Sequence, residues 1–436
     1  MRFAVKFLGC KVSQADAMLA RRELLAAGHE EVAEAEAELH VINTCCITGE
    51  AEAKSRQAVR RSLQSASRAF VGGCAVNLRA RQFTEIGLPV QAFAGTAEEA
   101  AAAMATASLA GSAPTDAGAG GGGACVDLEH DVLARERRAP SGTWAGARTR
   151  GFVKVQDGCD CRCAYCIIPT VRGGARSRPA SAVLREVARR AENDQPEVVM
   201  TGISVGDYRD PERGLELGEL LVAAAQVPGV QRVRLSSVEV IHVRDTLIAA
   251  LREEPKVCPH LHVPMQSGDD DVLGAMGRHY TAAEYLDAIR ALRAAVPDVN
   301  VTTDVIVGFP NEDETAFQNT LDLVSAAGIS KVHTFPYSSR PGTAAEALGD
   351  RVDPQEKKRR SRAVRGLSEV RSRHHRSAKL SRAVRVLVDK VAQTQCSGYT
   401  ADYTRCYLPA GAARAGELLD VSVRELYADG LRVVPA

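Results

Sequence analysis

The stretch GFVKVQDGCDCRCAYC, residues 151–166, places four of the chain's twelve cysteines directly after an apolar run. The run GFVKVQ is typical of a β-strand, so the cysteine loop begins where that strand ends. Cys159, Cys163 and Cys166 form a C-x3-C-x2-C arrangement. Three thiolates on one tight loop can each hold one iron of a [4Fe–4S] cluster, which leaves the fourth iron open to a substrate group or a cofactor.

Two other kinds of site compete with this interpretation. Zinc normally takes four ligands, with a second cysteine pair at a distance from the first, and no such pair follows Cys166. A redox dithiol also uses closely spaced cysteines. Cys161 offers a second register within CDCRC. The three-cysteine cluster is the preferred interpretation.

The region that contains the loop, residues 145–375, alternates strand-like and helical segments. The helical patterns include SAVLREVARRAEN and EYLDAIRALRAAV. Six strand–helix units predict a parallel (β/α)6 barrel that is incomplete, because a full barrel has eight. Such barrels carry their chemistry at the carboxyl ends of the strands, where the cysteine loop begins. The strand candidates are GFVKVQ, PEVVMTG, QRVRLSS, HLHVPMQ, VNVTTDVIVGFP and SKVHTFPY.

Residues 1–125 have the pattern of a second, parallel α/β sheet. The apolar runs RFAVKFLGC, LHVINTC and RAFVGGC are followed by helical patterns, and Cys10, Cys45 and Cys74 each end one predicted strand. Parallel strands end at one edge of a sheet, so cysteines about 30 residues apart can converge there. Three such thiolates without a nearby histidine again suit an iron–sulfur cluster, with unrelated buried cysteines as the alternative. The segment 111–124 is interpreted as a flexible linker or exposed loop.

Residues 376–436 predict a small β-barrel, because four strand-like runs alternate with glycine-led turns. Tyr399, Tyr403 and Tyr407 alternate in GYTADYTRCYLP, a spacing that can present rings to RNA bases or fill the barrel core. A basic run, 357–385, precedes the barrel and holds twelve Lys or Arg but one acid. It indicates either a solvated helix face or a nucleic-acid partner.

Composition sets the outer limits of the prediction. The chain has 436 residues, 45% of them hydrophobic, which is enough for two or three domains. No run of 18 or more apolar residues occurs, and the N-terminal stretch is too short and too interrupted by Lys6 for a signal peptide. We therefore expect a cytoplasmic protein with no membrane partner. In that compartment a cysteine cluster indicates metal or redox chemistry rather than disulfides.

The cysteine loop resembles a known signature. C-x3-C-x2-C with Tyr165 before the last cysteine resembles the radical S-adenosylmethionine (SAM) motif, and VQDGCDCRCAYCIIPTVRGGARSR is similar to the methylthiotransferase branch of that superfamily. RLSSVEV, HLHVPMQSGDDDVLGAMGRHYT, TTDVIVGFPNEDE and FPYSSRPGTAA extend the resemblance across residues 145–375.

The resemblance also covers both flanking regions. LGCKVSQAD, NTCCITGEAEAKSRQ and VGGCAVN look like the three cluster segments of the family's N-terminal domain, which implies a second cluster on Cys10, Cys45 and Cys74. The C-terminal barrel resembles a TRAM domain, a small RNA-binding barrel. Other cysteines are interpreted as structural or incidental: Cys125, Cys258, Cys396 and Cys406. The roles of Cys46 and Cys161 stay open.

Barrel geometry together with the resemblance predicts the SAM contacts. The methionine part, the ribose and the adenine each need a different surface near the open iron, and strand ends supply them. A helix-capping or loop-positioning role is the alternative for each residue. The predicted contacts are Thr201 and Gly202 after the second strand, Ser237 and Glu239 after the third, Gln266 after the fourth, and Val307 and Gly308 after the fifth.

The family resemblance implies a reaction and its partners. One SAM, bound to the Cys159/Cys163/Cys166 cluster, is cleaved by one-electron reduction and yields a radical that removes hydrogen from an unactivated carbon. The second cluster presents sulfur, and a second SAM supplies the methyl group, so that C–H becomes C–S–CH3. The electron comes from a donor such as a flavodoxin or ferredoxin.

The implied substrate is a modified adenosine beside the tRNA anticodon. HTFPYSSRPGTAA and GCKVSQAD are most similar to the MtaB-type branch, which acts on N6-threonylcarbamoyladenosine at position 37. The alternatives are the MiaB-type branch acting on N6-isopentenyladenosine, and methylthiolation of an aspartate in ribosomal protein S12. From other classes we consider a non-catalytic RNA-binding iron–sulfur protein and a plain radical SAM methylase.

Overall fold

The computed structural model describes residues 1–87, 89–110 and 149–436. The described chain divides into two compact units. The first holds residues up to 110 together with residues 167–174, and the second holds residues 149–166 and 175–436. The predicted glycine-rich linker, residues 111–124, and Cys125 lie outside the described residues.

The first unit is a parallel five-stranded sheet in the order β2-β1-β3-β4-β5. Its apolar strand faces and helix α1 enclose a core that includes Phe3, Leu24, Leu39 and Phe70. The predicted parallel α/β architecture is confirmed. The strands are β1 Arg2–Phe7, β2 Glu30–Glu31, β3 Leu39–Thr44, β4 Arg68–Gly73 and β5 Val90–Ala92. The helices are α1 Lys11–Ala26, α2 Gly49–Ser62, α3 Cys74–Arg79, α4 Arg81–Thr84, α5 Ala97–Ala110 and α6 Ile168–Arg172.

The register of this sheet brings three strand ends to one edge. Phe7 on β1 pairs with Asn43 on β3, and Thr44 on β3 pairs with Gly73 on β4. Each of these strands leads directly into one of the predicted cluster segments. Parallel pairing in near-equal register therefore explains how cysteines distant in sequence become neighbours.

The second unit contains six parallel strands in the order β6-β9-β10-β11-β12-β13. Two three-stranded sheets make up the series, and the bridge between Ser237 and His262 joins them. This is the incomplete (β/α)6 barrel that the sequence predicts. The strands are β6 Arg150–Lys154, β9 Glu197–Thr201, β10 Arg232–Leu235, β11 His260–His262, β12 Asn300–Val307 and β13 Lys331–Pro336, with a short antiparallel pair, β7 Gln156–Asp157 and β8 Arg176–Ser177.

Helices cover the outside of these strands and bury a valine- and leucine-rich core. Residues such as Val187, Leu221 and Ile289 on the helices pack towards apolar strand residues. The helices are α7 Ala180–Glu192, α8 Leu217–Ala225, α9 Asp245–Glu253, α10 Asp270–Ala275, α11 Ala282–Ala295, α12 Glu314–Ala326 and α13 Pro354–Ser377. The last of these takes up most of the basic run.

The C-terminal residues close into a five-stranded barrel in the order β14-β15-β16-β18-β17. Its core includes Val386, Val388, Cys396, Cys406 and Val433, so these two cysteines are packing residues, as predicted. The small β-barrel is confirmed. The strands are β14 Ala383–Val391, β15 Gln395–Thr400, β16 Arg405–Pro409, β17 Leu418–Tyr427 and β18 Gly430–Pro435.

The β15–β16 hairpin packs against the amino ends of the (β/α)6 strands. Arg234 donates to the Ala401 carbonyl at 2.8 Å and forms a buried ion pair with Glu197 at 2.8 Å. Asn300 donates to the Asp402 carbonyl at 2.8 Å. The hairpin therefore covers the end of the barrel opposite to the cysteine loop.

The tyrosines of this hairpin are engaged within the protein. The Tyr403 ring stacks on His260 with centroids 5.0 Å apart and on Tyr399 with centroids 4.8 Å apart. Tyr407 is buried and donates to Asp429. The packing alternative thus describes these rings better than presentation to RNA bases does.

Candidate active site

In the first unit, the three predicted cluster cysteines meet at the carboxyl edge of the sheet. Cys10 follows β1 and is the N-cap of α1, Cys45 follows β3, and Cys74 is the first residue of α3. Cys45 and Cys74 are buried, whereas Cys10 is exposed. The pKa of the Cys74 thiol is raised to about 12, mainly by burial and with smaller contributions from Cys10 and Cys45, although the Arg172 guanidinium acts to lower it. Because the three cysteines directly follow the paired strands β1, β3 and β4, the strand register brings them to one edge of the sheet.

Two glycines, each directly before one of these cysteines, lie too close to neighbouring residues to carry a side chain. Gly9 has φ +115°, and a Cβ there would lie 2.9 Å from Cβ of Cys45. Gly73 has φ +93°, and a Cβ there would lie 2.7 Å from the Thr44 carbonyl oxygen. Both positions require the left-handed region and close approach, so glycine is the residue that suits them.

An arginine from the segment after the C-x3-C-x2-C motif reaches this site. Arg172 Nε donates to Cys74 Sγ at 3.0 Å, and Arg172 Nη2 donates to Asp16 Oδ2 at 2.8 Å. Both side chains are more than nine-tenths buried. Arg172 thus links a cysteine sulfur to a buried carboxylate within this unit.

In the second unit, Cys159, Cys163 and Cys166 lie on the loop after β6 and β7 and are half-buried. The Cys166 amide donates to the Cys163 carbonyl at 3.0 Å, which keeps the loop tight. Burial raises the pKa of the Cys159 thiol, and the charges of Cys166 and Cys163 add to the increase. Cys161 lies beside them, and burial raises the pKa of its thiol to about 12.

Both cysteine groups suit [4Fe–4S] clusters. In each group the surrounding backbone holds the three cysteines, and an arginine donates a hydrogen bond to one of the sulfurs. Among the described residues, no three His, Cys, Asp or Glu side chains lie close enough to share a single metal ion. In a [4Fe–4S] cluster each ligating cysteine binds a different iron, so three cluster ligands do not have to meet at a single metal ion.

The residues predicted to hold SAM lie at or beyond the carboxyl ends of β9 to β12. Thr201 ends β9 and is buried, and a Cβ at Gly202 would lie 2.9 Å from the Gln156 carbonyl oxygen. Ser237 follows β10 and is exposed. Beside it, the buried Oγ of Ser236 has no hydrogen-bond partner among the described residues. An unpaired buried hydroxyl at this edge suits a polar ligand.

The remaining predicted contacts follow the next two strands. Gln266 has φ +64°, and its backbone is hydrogen-bonded to β12. Val307 ends β12 and is buried, and Gly308 follows it with φ +75°. A Cβ at Gly308 would lie 2.5 Å from Cγ of Lys357, so that side chain already covers one face of the glycine.

Glu239 has a partner that sequence reasoning missed. Its carboxylate accepts a hydrogen bond from Arg278, which also donates to Cys163 Sγ at 3.2 Å. The Arg278 guanidinium lies 5.0 Å from the centroid of the Tyr280 ring. Arg278 and Tyr280 belong to the motif GRHY, which is visible in the sequence. The sequence does not show, however, that this motif contacts the cysteine loop.

The two histidines of HLHVP, on β11, both contact a threonine of the neighbouring strand β12. His260 contacts Thr302 Oγ1 at 3.2 Å, and His262 contacts the same oxygen at 2.9 Å. His262 Nε2 also lies 3.1 Å from Asp304 Oδ1. This carboxylate comes from β12 and is distant in sequence, so the HLHVP motif alone could not indicate it.

Two family models match the chain. The Radical SAM superfamily matches residues 153–324, and the Uncharacterized protein family UPF0004 matches residues 2–95. A solved radical S-adenosylmethionine methyltransferase, TsrM, from Kitasatospora setae, with cobalamin and [4Fe-4S] cluster bound, covers 81% of this chain and 79% of its own, with TM-score 0.56 and 13% identity. The latter likeness concerns the fold alone. The superfamily match, the partial barrel and its three-cysteine loop define a radical SAM enzyme.

Curated relatives narrow this class. Threonylcarbamoyladenosine tRNA methylthiotransferase MtaB from Thermotoga maritima is 32% identical over 98% of this chain and 95% of its own length. MtaB from Bacillus subtilis is 31% identical over 95% and 92%. A tRNA-2-methylthio-N(6)-dimethylallyladenosine synthase from Alkalilimnicola ehrlichii is 35% identical over 72% and 70%. The chain belongs to the radical SAM methylthiotransferase family, whose cofactors are SAM and two [4Fe–4S] clusters.

Proposed function

We propose that this enzyme methylthiolates C2 of N6-threonylcarbamoyladenosine at position 37 of tRNA, giving 2-methylthio-N6-threonylcarbamoyladenosine. The observation that carries the proposal is the share of this chain that each relative matches. The relative named for this reaction from Thermotoga maritima aligns with 98% of the chain, whereas the dimethylallyladenosine synthase from Alkalilimnicola ehrlichii aligns with 72% at similar identity. Agreement over the entire length includes the regions outside the shared catalytic barrel.

The proposed cluster ligands are the two sets of three cysteines that the sequence predicts. Cys159, Cys163 and Cys166 hold the cluster that binds SAM, and Cys10, Cys45 and Cys74 hold the auxiliary cluster. When bound, the first cluster would supply one-electron cleavage of SAM, the auxiliary cluster would supply sulfur, and a second SAM would supply the methyl group. The protein's part is to hold the thiolates, orient SAM and donate hydrogen bonds to sulfur.

The proposed SAM contacts follow from position at the strand ends. Gly202 and Gly308 let the backbone approach the ligand, and Ser237 and Glu239 offer oxygen atoms to the ribose hydroxyls. Arg278 supports this arrangement because it holds the Glu239 carboxylate while donating to Cys163. The other proposed contacts are Thr201, Gln266 and Val307.

We further propose three functional regions, with a methylthiotransferase domain at 1–125, a radical SAM core at 145–375 and a TRAM-like RNA-binding barrel at 376–436. The closed five-stranded barrel supports the last assignment. An electron donor such as a flavodoxin or ferredoxin and a cytoplasmic location complete the proposal. Among the described helices, none has both the length and the apolar composition that a membrane span requires.

The test is the nucleoside content of tRNA from cells with and without the gene. We expect 2-methylthio-N6-threonylcarbamoyladenosine to disappear and its unthiolated precursor to accumulate, as measured by mass spectrometry. A gene copy with Cys163→Ala should not restore the product, whereas Cys258→Ala, at a buried packing position, should restore it. Unchanged methylthio nucleosides in the deleted strain would contradict the proposal.

The second candidate is methylthiolation of N6-isopentenyladenosine, favoured by the 35% identity to the dimethylallyladenosine synthase. Loss of the isopentenyl product in the same experiment would select it and keep the reaction. A non-catalytic RNA-binding protein is separated by a different measurement. Reduced, reconstituted protein that cleaves SAM to 5′-deoxyadenosine would exclude that class.

A further inference from the structure

Helix α13 separates its cations into a buried set and an exposed set. Lys357 donates to the Tyr337 carbonyl at 3.0 Å, and Arg360 donates to Glu312 Oε1 at 2.9 Å. Arg376 donates to the Ala428 carbonyl at 2.8 Å. These buried cations have protein partners and hold the helix in place.

Arg359 is exposed but paired with Glu314 and Glu356. Four other exposed cations lie along one face of the helix, and we name them the basic stripe: Lys358, Arg362, Arg365 and Arg373. Steps of four, three and eight residues keep these side chains on one face over about 22 Å at 1.5 Å per residue. Within the part of the chain that the structure describes, none of the four has an ion-pair partner. Glu369 is the acid on this face, and it is paired with Arg376.

The stripe connects two parts of the second unit. The first turn of α13 packs at Gly308 and Tyr337, which follow the carboxyl ends of β12 and β13. The last turn contacts the C-terminal barrel through His375 and Arg376. The exposed cations therefore run from the end of the barrel that carries the cysteine loop towards the C-terminal barrel.

We propose that the basic stripe binds the phosphate backbone of the tRNA substrate, an inference that rests on the proposed function. A polyanion whose target base lies at the strand ends would extend past unpaired cations spaced along a rigid helix. Such contacts are independent of sequence and strengthen as salt is lowered, because each one releases counterions. The hairpin tyrosines, which are packed inside the protein, are not needed for this binding.

The test compares two double variants of the full-length holoenzyme in tRNA binding across a salt series. Arg362→Ala/Arg365→Ala removes the centre of the stripe, and Arg252→Ala/Arg290→Ala removes two exposed arginines on other helices as a charge-matched control. We expect the first variant to bind at least tenfold more weakly at 0.1 M salt and to lower the slope of log K against log salt by about 2, roughly one per lost contact. KM for tRNA should rise while kcat stays unchanged.

Equal affinity and slope in the two variants would overturn the stripe proposal. Iron content and melting temperature, measured on the same samples, are expected to match wild type because the four arginines are exposed. Product formation by the wild type separates this test from the proposed function. An inactive wild type contradicts the function, whereas an active wild type with two indistinguishable variants contradicts the stripe alone.

The geometry also points to Arg172 as a positioning residue for the cluster of the first unit. Its guanidinium binds the Cys74 sulfur and is itself fixed by Asp16. Asn77 on α3 donates to the Val171 carbonyl at 2.8 Å, which ties α6 to the helix that begins at Cys74. A hydrogen bond to a ligating sulfur stabilises the more negative, reduced cluster and so raises its reduction potential.

This second test uses full-length protein in which Cys159, Cys163 and Cys166 are replaced by alanine, so that the first-unit cluster alone remains. Arg172→Met is expected to shift the midpoint potential of this cluster to a more negative value, as measured by a redox titration monitored by electron paramagnetic resonance. It should also speed the loss of iron to a chelator. Asp16→Asn should give a smaller shift in the same direction, and Arg172→Lys should recover part of it. Arg56→Met, in the same unit, is the control. A potential and iron retention equal to the control in all three variants would overturn the proposal.

Discussion

The buried ion pair between Arg234 and Glu197 predicts how firmly the C-terminal barrel is built into the second unit. The two side chains are 2% and 1% exposed, and Arg234 also donates to carbonyls of the β15–β16 hairpin. Burial tends to raise the pKa of Glu197, but Arg234 together with Arg150 and Arg232 lowers it more, so that the carboxylate stays charged. The substitution Arg234→Met keeps most of the volume and removes the charge.

The expected cost follows from the partners that remain. Breaking a buried pair by removing one member costs about 3–5 kcal/mol, because it leaves an uncompensated charge. Arg232 lies 3.8 Å from Glu197 and compensates in part, so we expect the lower end, about 3 kcal/mol. At a little under about 2 °C per kcal/mol for a unit of about 280 residues, the melting temperature should fall by about 5 °C.

Scanning calorimetry tests this prediction with two comparisons. Arg234→Met/Glu197→Gln should be more stable than Arg234→Met, because the stranded charge is gone. Arg252→Met removes one member of an exposed pair and should cost at most about 1 kcal/mol. A melting temperature for Arg234→Met within 2 °C of wild type, or a double variant no better than the single one, would refute the reasoning.

Three further predictions concern the clusters and the barrel. Gly9→Ala should lower bound iron from about eight to about four atoms per chain in a colorimetric assay, because the new Cβ meets Cys45. The control Gly28→Ala should keep full iron, because Gly28 has a similar positive φ of +86° but open space around it. Cys161→Ser should keep full iron and SAM cleavage, and loss of half the iron would instead make Cys161 a ligand. Burial tends to raise the pKa of Asp402, but its bonds to His375 and Lys379 lower it below the usual value. A lowered folded-state pKa contributes stability above about pH 4 that is lost on acidification. Asp402→Asn should therefore flatten the fall of melting temperature between pH 5 and pH 3, and an unchanged slope would count against this pairing.

The parts of the fold that could be predicted are those set by local pattern. Alternating strand and helix signals placed the parallel sheet and the six barrel strands, and the rule that parallel strands end at one edge brought Cys10, Cys45 and Cys74 together. The spacing of Cys159, Cys163 and Cys166 is local, so it survives without knowledge of the tertiary structure. Each of these inferences requires only the positions of the strand ends in the sequence. None requires knowledge of which side chains contact each other across the fold.

The partners of the clusters could not be predicted because they depend on long-range packing. Arg278 meets Cys163, 115 residues away, and Arg172 meets Asp16, 156 residues away. In sequence, each arginine looks like any other cation beside a loop or helix. Burial and a fixed partner distinguish them, and both are properties of the folded chain.

The same reasoning decides what the basic run means. Counting twelve cations between 357 and 385 suggests one large electrostatic surface. The period of α13 instead turns Lys357, Arg360 and Arg376 inward, where they are satisfied by protein oxygens and cannot neutralise phosphates. Deleting residues 376–436 would therefore confuse two effects, since it removes the hairpin that covers Glu197 and Arg234 along with any RNA contact. Surface substitutions in the basic stripe change the phosphate contacts and leave that buried pair intact, so they measure RNA binding where the truncation would measure unfolding.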